Sequence, residues 1–186
     1  KRFGAVSPGS KLILAVGRLA ARKGYSTLIR GFSALNEEMP NTKLVIVGRG
    51  HLKRRLMRLA KSLGVEEDVR IESSLSFAEL AQLYRSSDLV VYPSFYEGQG
   101  LIPLEAMASG VPVVTVDHGP LPEMVDESVG ALFTMGNIES MVSVMREVLN
   151  TGREKGEQGR ARVLQKFTYS GNAESFEKVY IEAIKR

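Results

Sequence analysis

Pro93-Ser94-Phe95-Tyr96-Glu97-Gly98-Gln99-Gly100-Leu101-Ile102-Pro103-Leu104-Glu105-Ala106-Met107-Ala108-Ser109-Gly110-Val111-Pro112-Val113-Val114 is the stretch on which the fold turns. An apolar run, Leu89 to Tyr92, feeds it, and a second, Val113 to Val116, leaves it. Both runs are short, rich in β-branched residues and bounded by Pro and Gly, as buried parallel strands are. Between them come two glycines one residue apart and then good helix formers ending at Gly110. The order is strand, glycine loop, helix, turn, strand. Such a loop lies at the carboxyl end of a strand and at a helix N-terminus, where free N–H groups and the positive end of the dipole suit a phosphate. Glu97 and Glu105, with seven residues between them, flank this place. A carboxylate repels an anion, so acids here suit hydroxyl donors such as those of sugars and ribose.

Earlier in the chain, Leu12-Ile13-Leu14-Ala15-Val16 reads as the first strand, ending at Gly17. The loop Gly17-Arg18-Leu19-Ala20-Ala21-Arg22-Lys23-Gly24 follows, with three cations in the six residues from Arg18 to Lys23. Basic residues at the end of a first strand are placed to meet an anion, although a solvated loop is the simpler alternative. A helix from about Tyr25 to Glu38 presents Leu28, Ile29, Phe32 and Leu35 on one face.

The pattern P-S-x-x-E-G-x-G-x-x-x-L-E-A-M-A-S-G-x-P-V-V closely resembles the donor-binding motif of retaining glycosyltransferases of the glycogen-synthase and sucrose-synthase-like group, the group 1, family 4-like enzymes. These have the GT-B architecture, two Rossmann-like domains facing each other across a cleft. The resemblance covers residues 11–186 and implies the C-terminal, nucleotide-sugar-binding half of such an enzyme. By this resemblance Glu97 contacts donor-sugar hydroxyls and Glu105 the ribose. Gly98, Gln99, Gly100 and Leu101 form the donor-binding loop. The family carries G-R-L…K-G after the first strand, matched by Gly17, Arg18 and Lys23, with the Arg and Lys on the diphosphate. Arg18 and Lys23 would stabilise the departing diphosphate and Glu97 would orient the sugar, so these three are the expected catalytic residues. The donor would be a UDP- or GDP-linked sugar, with no cofactor and no metal; no D-x-D occurs in the sequence.

Three places in the chain depart from the family pattern. Gln99 replaces the usual Phe between the glycines, which spares the backbone donors and changes local packing. Ser73 and Ser74 stand where a Gly usually meets the nucleobase, and Pro120 interrupts a usual Gly-Gly.

Length and composition set the outer limits. The chain has 186 residues, 44% of them hydrophobic, which suits one α/β domain with a three-layer Rossmann-like core and about six parallel strands. Residues 1–10 read as the remnant of an interdomain linker. The absence of cysteine excludes disulfides and fits a reducing, cytoplasmic setting, with a peripheral position at the inner membrane face as an extension. Two histidines, His51 and His118, are too few for a metal cluster. No apolar run approaches the roughly 20 residues of a membrane span. The net charge of +4 permits phosphate-bearing ligands without an RNA-binding signature, so nucleic acid is not an expected partner.

Lys43 to Val47 reads as a strand closed by Gly48-Arg49-Gly50, which imitates a dinucleotide fingerprint but has Lys53 where the third glycine belongs. A helix from about Leu52 to Leu63 turns Leu52, Leu56, Leu59 and Leu63 inward and carries Lys53, Arg54, Arg55, Arg58 and Lys61. That basic face reads first as solvated, and second as a surface for anionic lipid headgroups. Val69-Arg70-Ile71 is a short strand, and Ser76 with Glu79 makes a capping box for a helix from Phe77 to Arg85. Later elements are a short helix Leu121 to Val125, a strand Gly130 to Phe133, and helices from about Ile138 to Leu149 and Lys155 to Lys166. A last helix, Asn172 to Lys185, begins after a break at Gly171. Phe176, Val179, Tyr180 and Ile184 stripe this helix, which in the family crosses back to the N-terminal domain. That domain is expected to be missing here, so the chain alone is expected to bind donor and transfer nothing. The rival readings are a non-catalytic nucleotide-sugar-binding module and half of an NAD-dependent oxidoreductase.

Overall fold

The computed structural model describes residues 9–185; residues 1–8 of the expected linker, 1–10, lie outside them. In chain order the elements are β1 (Lys11–Val16), α1 (Tyr25–Glu38), β2 (Thr42–Val47), α2 (Lys53–Ser62), β3 (Val69–Glu72), α3 (Phe77–Arg85) and β4 (Leu89–Tyr92). There follow α4 (Leu101–Ala108), β5 (Val113–Val116), α5 (Leu121–Met124), β6 (Gly130–Phe133), α6 (Ile138–Lys166) and α7 (Tyr169–Ile184).

The strands form one sheet in the order β3-β2-β1-β4-β5-β6, every pairing parallel. This is the doubly wound Rossmann order, and the sequence of strands reverses between β1 and β4. Helices flank the sheet, which explains why β1, β4 and β5 are buried almost throughout and read as unbroken apolar runs. The capping box of α3 is formed, with Ser76 Oγ accepting from the Glu79 amide and the Glu79 carboxylate from the Ser76 amide. On α2, Leu56 is fully buried, while Leu52, Leu59 and Leu63 pack against the core from partly buried positions.

Two helix boundaries differ from the sequence reading. The expected pair of helices at 138–149 and 155–166 is one helix of 29 residues. The residues left between them are helical, and Gly152 and Gly156 serve close packing. A Cβ at Gly152 would stand 2.9 Å from Pro112 Cγ, and one at Gly156 would stand 2.2 Å from the Gly110 carbonyl oxygen. With Gly159 against Met107, they form a flat stripe by which α6 lies on α4 and the turn into β5. A glycine in a helix costs about 1 kcal/mol relative to Ala, which this packing offsets. The second difference is that α7 starts at Tyr169 and runs through Gly171. The true boundary is Thr168, whose hydroxyl accepts from the Gly171 amide at 3.2 Å as an N-cap. No residue of α7 is buried, and Phe176, Val179, Tyr180 and Ile184 all face solvent.

Candidate functional site

The strand-order reversal between β1 and β4 opens a crevice at their carboxyl ends, where a doubly wound sheet takes ligands. Two loops meet there, Gly17–Gly24 after β1 and Pro93–Gly100 after β4. The Phe95 amide donates to the Arg22 carbonyl at 2.8 Å. Gly24 has φ +68°, and a Cβ on it would lie 2.1 Å from the Pro93 carbonyl oxygen. Glycine at 24 is therefore a steric requirement for joining the loops. The Gly48-Arg49-Gly50 pair also serves packing, since a Cβ at Gly48 would sit 1.8 Å from the Gly17 carbonyl oxygen.

At this junction Lys23 and Glu97 form an ion pair, their side chains only 12% and 14% exposed. Lys23 Nζ also donates to the Tyr92 hydroxyl at 2.9 Å, and the Ser94 hydroxyl donates to the same Glu97 oxygen. Burial pushes the Glu97 carboxyl up, but hydrogen bonds from Lys23, Ser94 and Tyr92 and the Lys23 charge outweigh it and hold the group below the usual carboxylate range. Burial, then the nearby Glu97, pushes the Tyr25 hydroxyl up. Burial and the same carboxylate do so for Tyr92. Tyr25 is 2% exposed, and among the described residues its hydroxyl has no hydrogen-bond partner.

Beyond the glycines, Gly100 is the N-cap residue of α4 with φ +78°, and no side chain caps the helix. A Cβ there would stand 2.9 Å from Leu121 Cδ2. Pro103, in the first turn, has no N–H, so the unsatisfied amides of Gly100, Leu101 and Ile102 remain as the donors of this terminus. Gly98, Gln99 and Leu101 are exposed beside them. One turn on, Glu105 points from α4 toward α3, where the Tyr84 hydroxyl donates to its Oε2 at 2.9 Å. Tyr84 is 3% exposed, and burial followed by the Glu105 charge pushes its hydroxyl up.

Gly17, Lys23, Glu97, Gly98, Gln99, Gly100 and Leu101 are thus gathered at one crevice, with Glu105 along the helix that leaves it. Arg18 is exposed on the rim, and among the described residues no ion pair or side-chain hydrogen bond holds it. Lys23 and Glu97, expected at the diphosphate and at the donor sugar, are paired directly with each other. The sequence reading missed Tyr25, Tyr84, Tyr92 and Ser94. Tyr92 and Ser94 carried a faint signal, being polar groups at the end of an otherwise apolar strand; Tyr25 and Tyr84 resemble ordinary helix residues. The loop after β3 is held by Lys53 Nζ donating to Ser73 Oγ at 2.9 Å and Arg49 Nε donating to the Ser73 carbonyl at 3.1 Å. Among the described residues no cluster of His, Cys, Asp or Glu is arranged to hold a metal, and no helix is long and apolar enough to cross a membrane.

The family model described as "Glycosyl transferases group 1" matches residues 1–162. The D-inositol 3-phosphate glycosyltransferase of Corynebacterium aurimucosum is 33% identical over 184 residues, covering 94% of this chain and 44% of the relative. Sucrose-phosphate synthase from Thermosynechococcus elongatus superposes with a TM-score of 0.85 at 26% identity, over 96% of this chain and 47% of that one. Anabaena Alr3699/HepE, solved with UDP and glucose, superposes with a TM-score of 0.81 at 23% identity, over 92% of this chain and 48% of its own. The chain spans less than half the length of the curated relatives it matches.

Proposed function

The chain belongs to the group 1 glycosyltransferases of the GT-B kind, and we propose that it is the donor-binding half of a retaining, metal-independent enzyme that moves a sugar from a UDP- or GDP-sugar to an acceptor hydroxyl. The observation that carries this reading is the part-buried Lys23–Glu97 pair set beside the uncapped N-terminus of α4 at the switch point. A diphosphate entering there meets the amides of Gly100, Leu101 and Ile102 and the rim cation Arg18. Lys23 can exchange its bond to Glu97 for one to a phosphate oxygen, its hold on Tyr92 keeping the ammonium in place. Glu97, released from Lys23 but still bonded to Ser94, is an ionised acceptor for sugar hydroxyls. As the glycosidic C–O bond breaks, negative charge grows on the diphosphate, and Arg18, the helix amides and Lys23, once exchanged from Glu97, are the groups that would stabilise it. Glu105 takes the ribose.

The acceptor surface in this reading belongs to a second, N-terminal domain. The uncovered stripe Phe176, Val179, Tyr180 and Ile184 on α7 supports that partner. The five cations of α2, a helix with no acidic residue, support an anionic membrane surface as a further partner, and a cytoplasmic site of action completes the proposal. A thermal-shift panel tests the reading. UDP- and GDP-sugars should raise the unfolding temperature by mass action while NAD leaves it unchanged. A shift with NAD and none with any nucleotide sugar would refute it.

A further inference from the structure

Glu105 sits on an exposed turn of α4, yet one of its oxygens is fixed by a group from a different helix. We propose that Tyr84 is a positioning residue for donor binding: it holds the Glu105 carboxylate in the orientation that receives the ribose hydroxyls. The inference rests on the ribose role of Glu105 given above and goes beyond it, to how an exposed carboxylate is aimed.

Glutamate is a poor fixed acceptor by itself, because ordering its side chain costs up to about 2 kcal/mol of rotamer entropy. Tyr84 has little of that freedom. Tyr84 is only 3% exposed. Its backbone is tied into the end of α3, where the Ser87 amide donates to the Tyr84 carbonyl at 2.9 Å. The hydroxyl meets Oε2 at 2.9 Å, a bond strengthened by the charge on its acceptor. An ionised carboxylate offers about four lone-pair sites, and one hydroxyl occupies one of them. The others stay open on the solvent side of α4, enough for two neighbouring hydroxyls. Vicinal hydroxyls are what the ribose of a nucleoside diphosphate presents.

The competing account is that Glu105 merely satisfies a buried phenol. The two accounts differ in what the ligand feels. Calorimetric titrations should use UDP, GDP and their 2′,3′-dideoxy counterparts against the wild type, Tyr84→Phe, Glu105→Gln and the double variant. Phenylalanine keeps the ring and its packing, and a thermal melt of each variant confirms that it is folded. Tyr84→Phe should weaken the ribose-bearing nucleotide about three- to tenfold, the worth of one hydrogen bond, and leave the dideoxy nucleotide within about twofold. The double variant should be no weaker than Glu105→Gln alone, since both act through one contact. Equal losses for both nucleotides in Tyr84→Phe, or no loss in Tyr84→Phe where Glu105→Gln loses affinity, would overturn the proposal and leave the ribose role of Glu105 standing. If Glu105→Gln fails to distinguish ribose from dideoxyribose, the ribose role falls and the positioning role falls with it.

Discussion

Lys23→Met removes the cation from a pair whose side chains are 12% and 14% exposed. Taking one member from a buried ion pair costs about 3–5 kcal/mol, because the other charge is left without its counterion. The pair is part-buried and Ser94 keeps its bond to Glu97, so the loss should fall below that range, at about 1–3 kcal/mol. The sign with pH follows from Glu97, whose carboxyl lies below its ordinary range in the folded wild type. That stability is present above the unfolded carboxylate pKa of about 4.3 and is lost as pH falls through the lower folded value. In Lys23→Met the pushing-up effect of burial is no longer offset by Lys23, so the folded pKa rises. The difference between wild type and variant is then full at pH 7 and narrows as pH falls from the variant's raised folded pKa toward the lower wild-type one. Urea denaturation, extrapolated linearly at several pH values, reads it directly. A variant within about 0.5 kcal/mol of wild type at pH 7, the range of an ordinary surface substitution, would refute the reasoning, as would a gap unchanged by acid.

Glu97→Gln should leave free UDP or GDP binding equal or up to about threefold tighter, since Lys23 is released, while the extra affinity of the sugar-bearing donor disappears; calorimetry with each ligand decides. Tyr25→Phe deletes a buried hydroxyl that has no partner among the described residues, and should be neutral or stabilising by about 1 kcal/mol; destabilisation beyond that in urea would reveal a partner. Gly156→Ala places a Cβ 2.2 Å from the Gly110 carbonyl oxygen, so thermal unfolding should show a net loss of about 1–2 kcal/mol despite the better helix propensity of alanine.

The parallel sheet and its switch point were legible because a strand buried on both faces writes a continuous apolar run. Leu89 to Tyr92 and Val113 to Val116 have the bounds read from sequence. The glycine loop was legible because only certain residues allow a φ of +78° at Gly100 and a 2.1 Å approach at Gly24. Glycine has another use at α6. At positions 152 and 156 it marks a helix face pressed against backbone, and no local rule separates that use from a break. The partners within the site were harder still. Tyr84 and Glu105 are 21 residues apart, and Lys23 and Tyr92 are 69 apart. Such bonds are set by the winding of the sheet, which brings β1, α3 and β4 together. Local spacing carries no trace of them.

The central claim is that the crevice between β1 and β4 is the donor site, and a nuclear magnetic resonance titration of the isotope-labelled 20.4 kDa chain tests it most directly. Adding a UDP- or GDP-sugar should move the backbone amides of Gly17, Arg18, Lys23 and Gly98 to Ile102, and that of Glu105, together and with one saturation curve. Shifts confined to other surfaces, such as the cavity of about 1010 Å³ lined by Asp126, Ser128 and Lys155, with these amides unmoved, would contradict it.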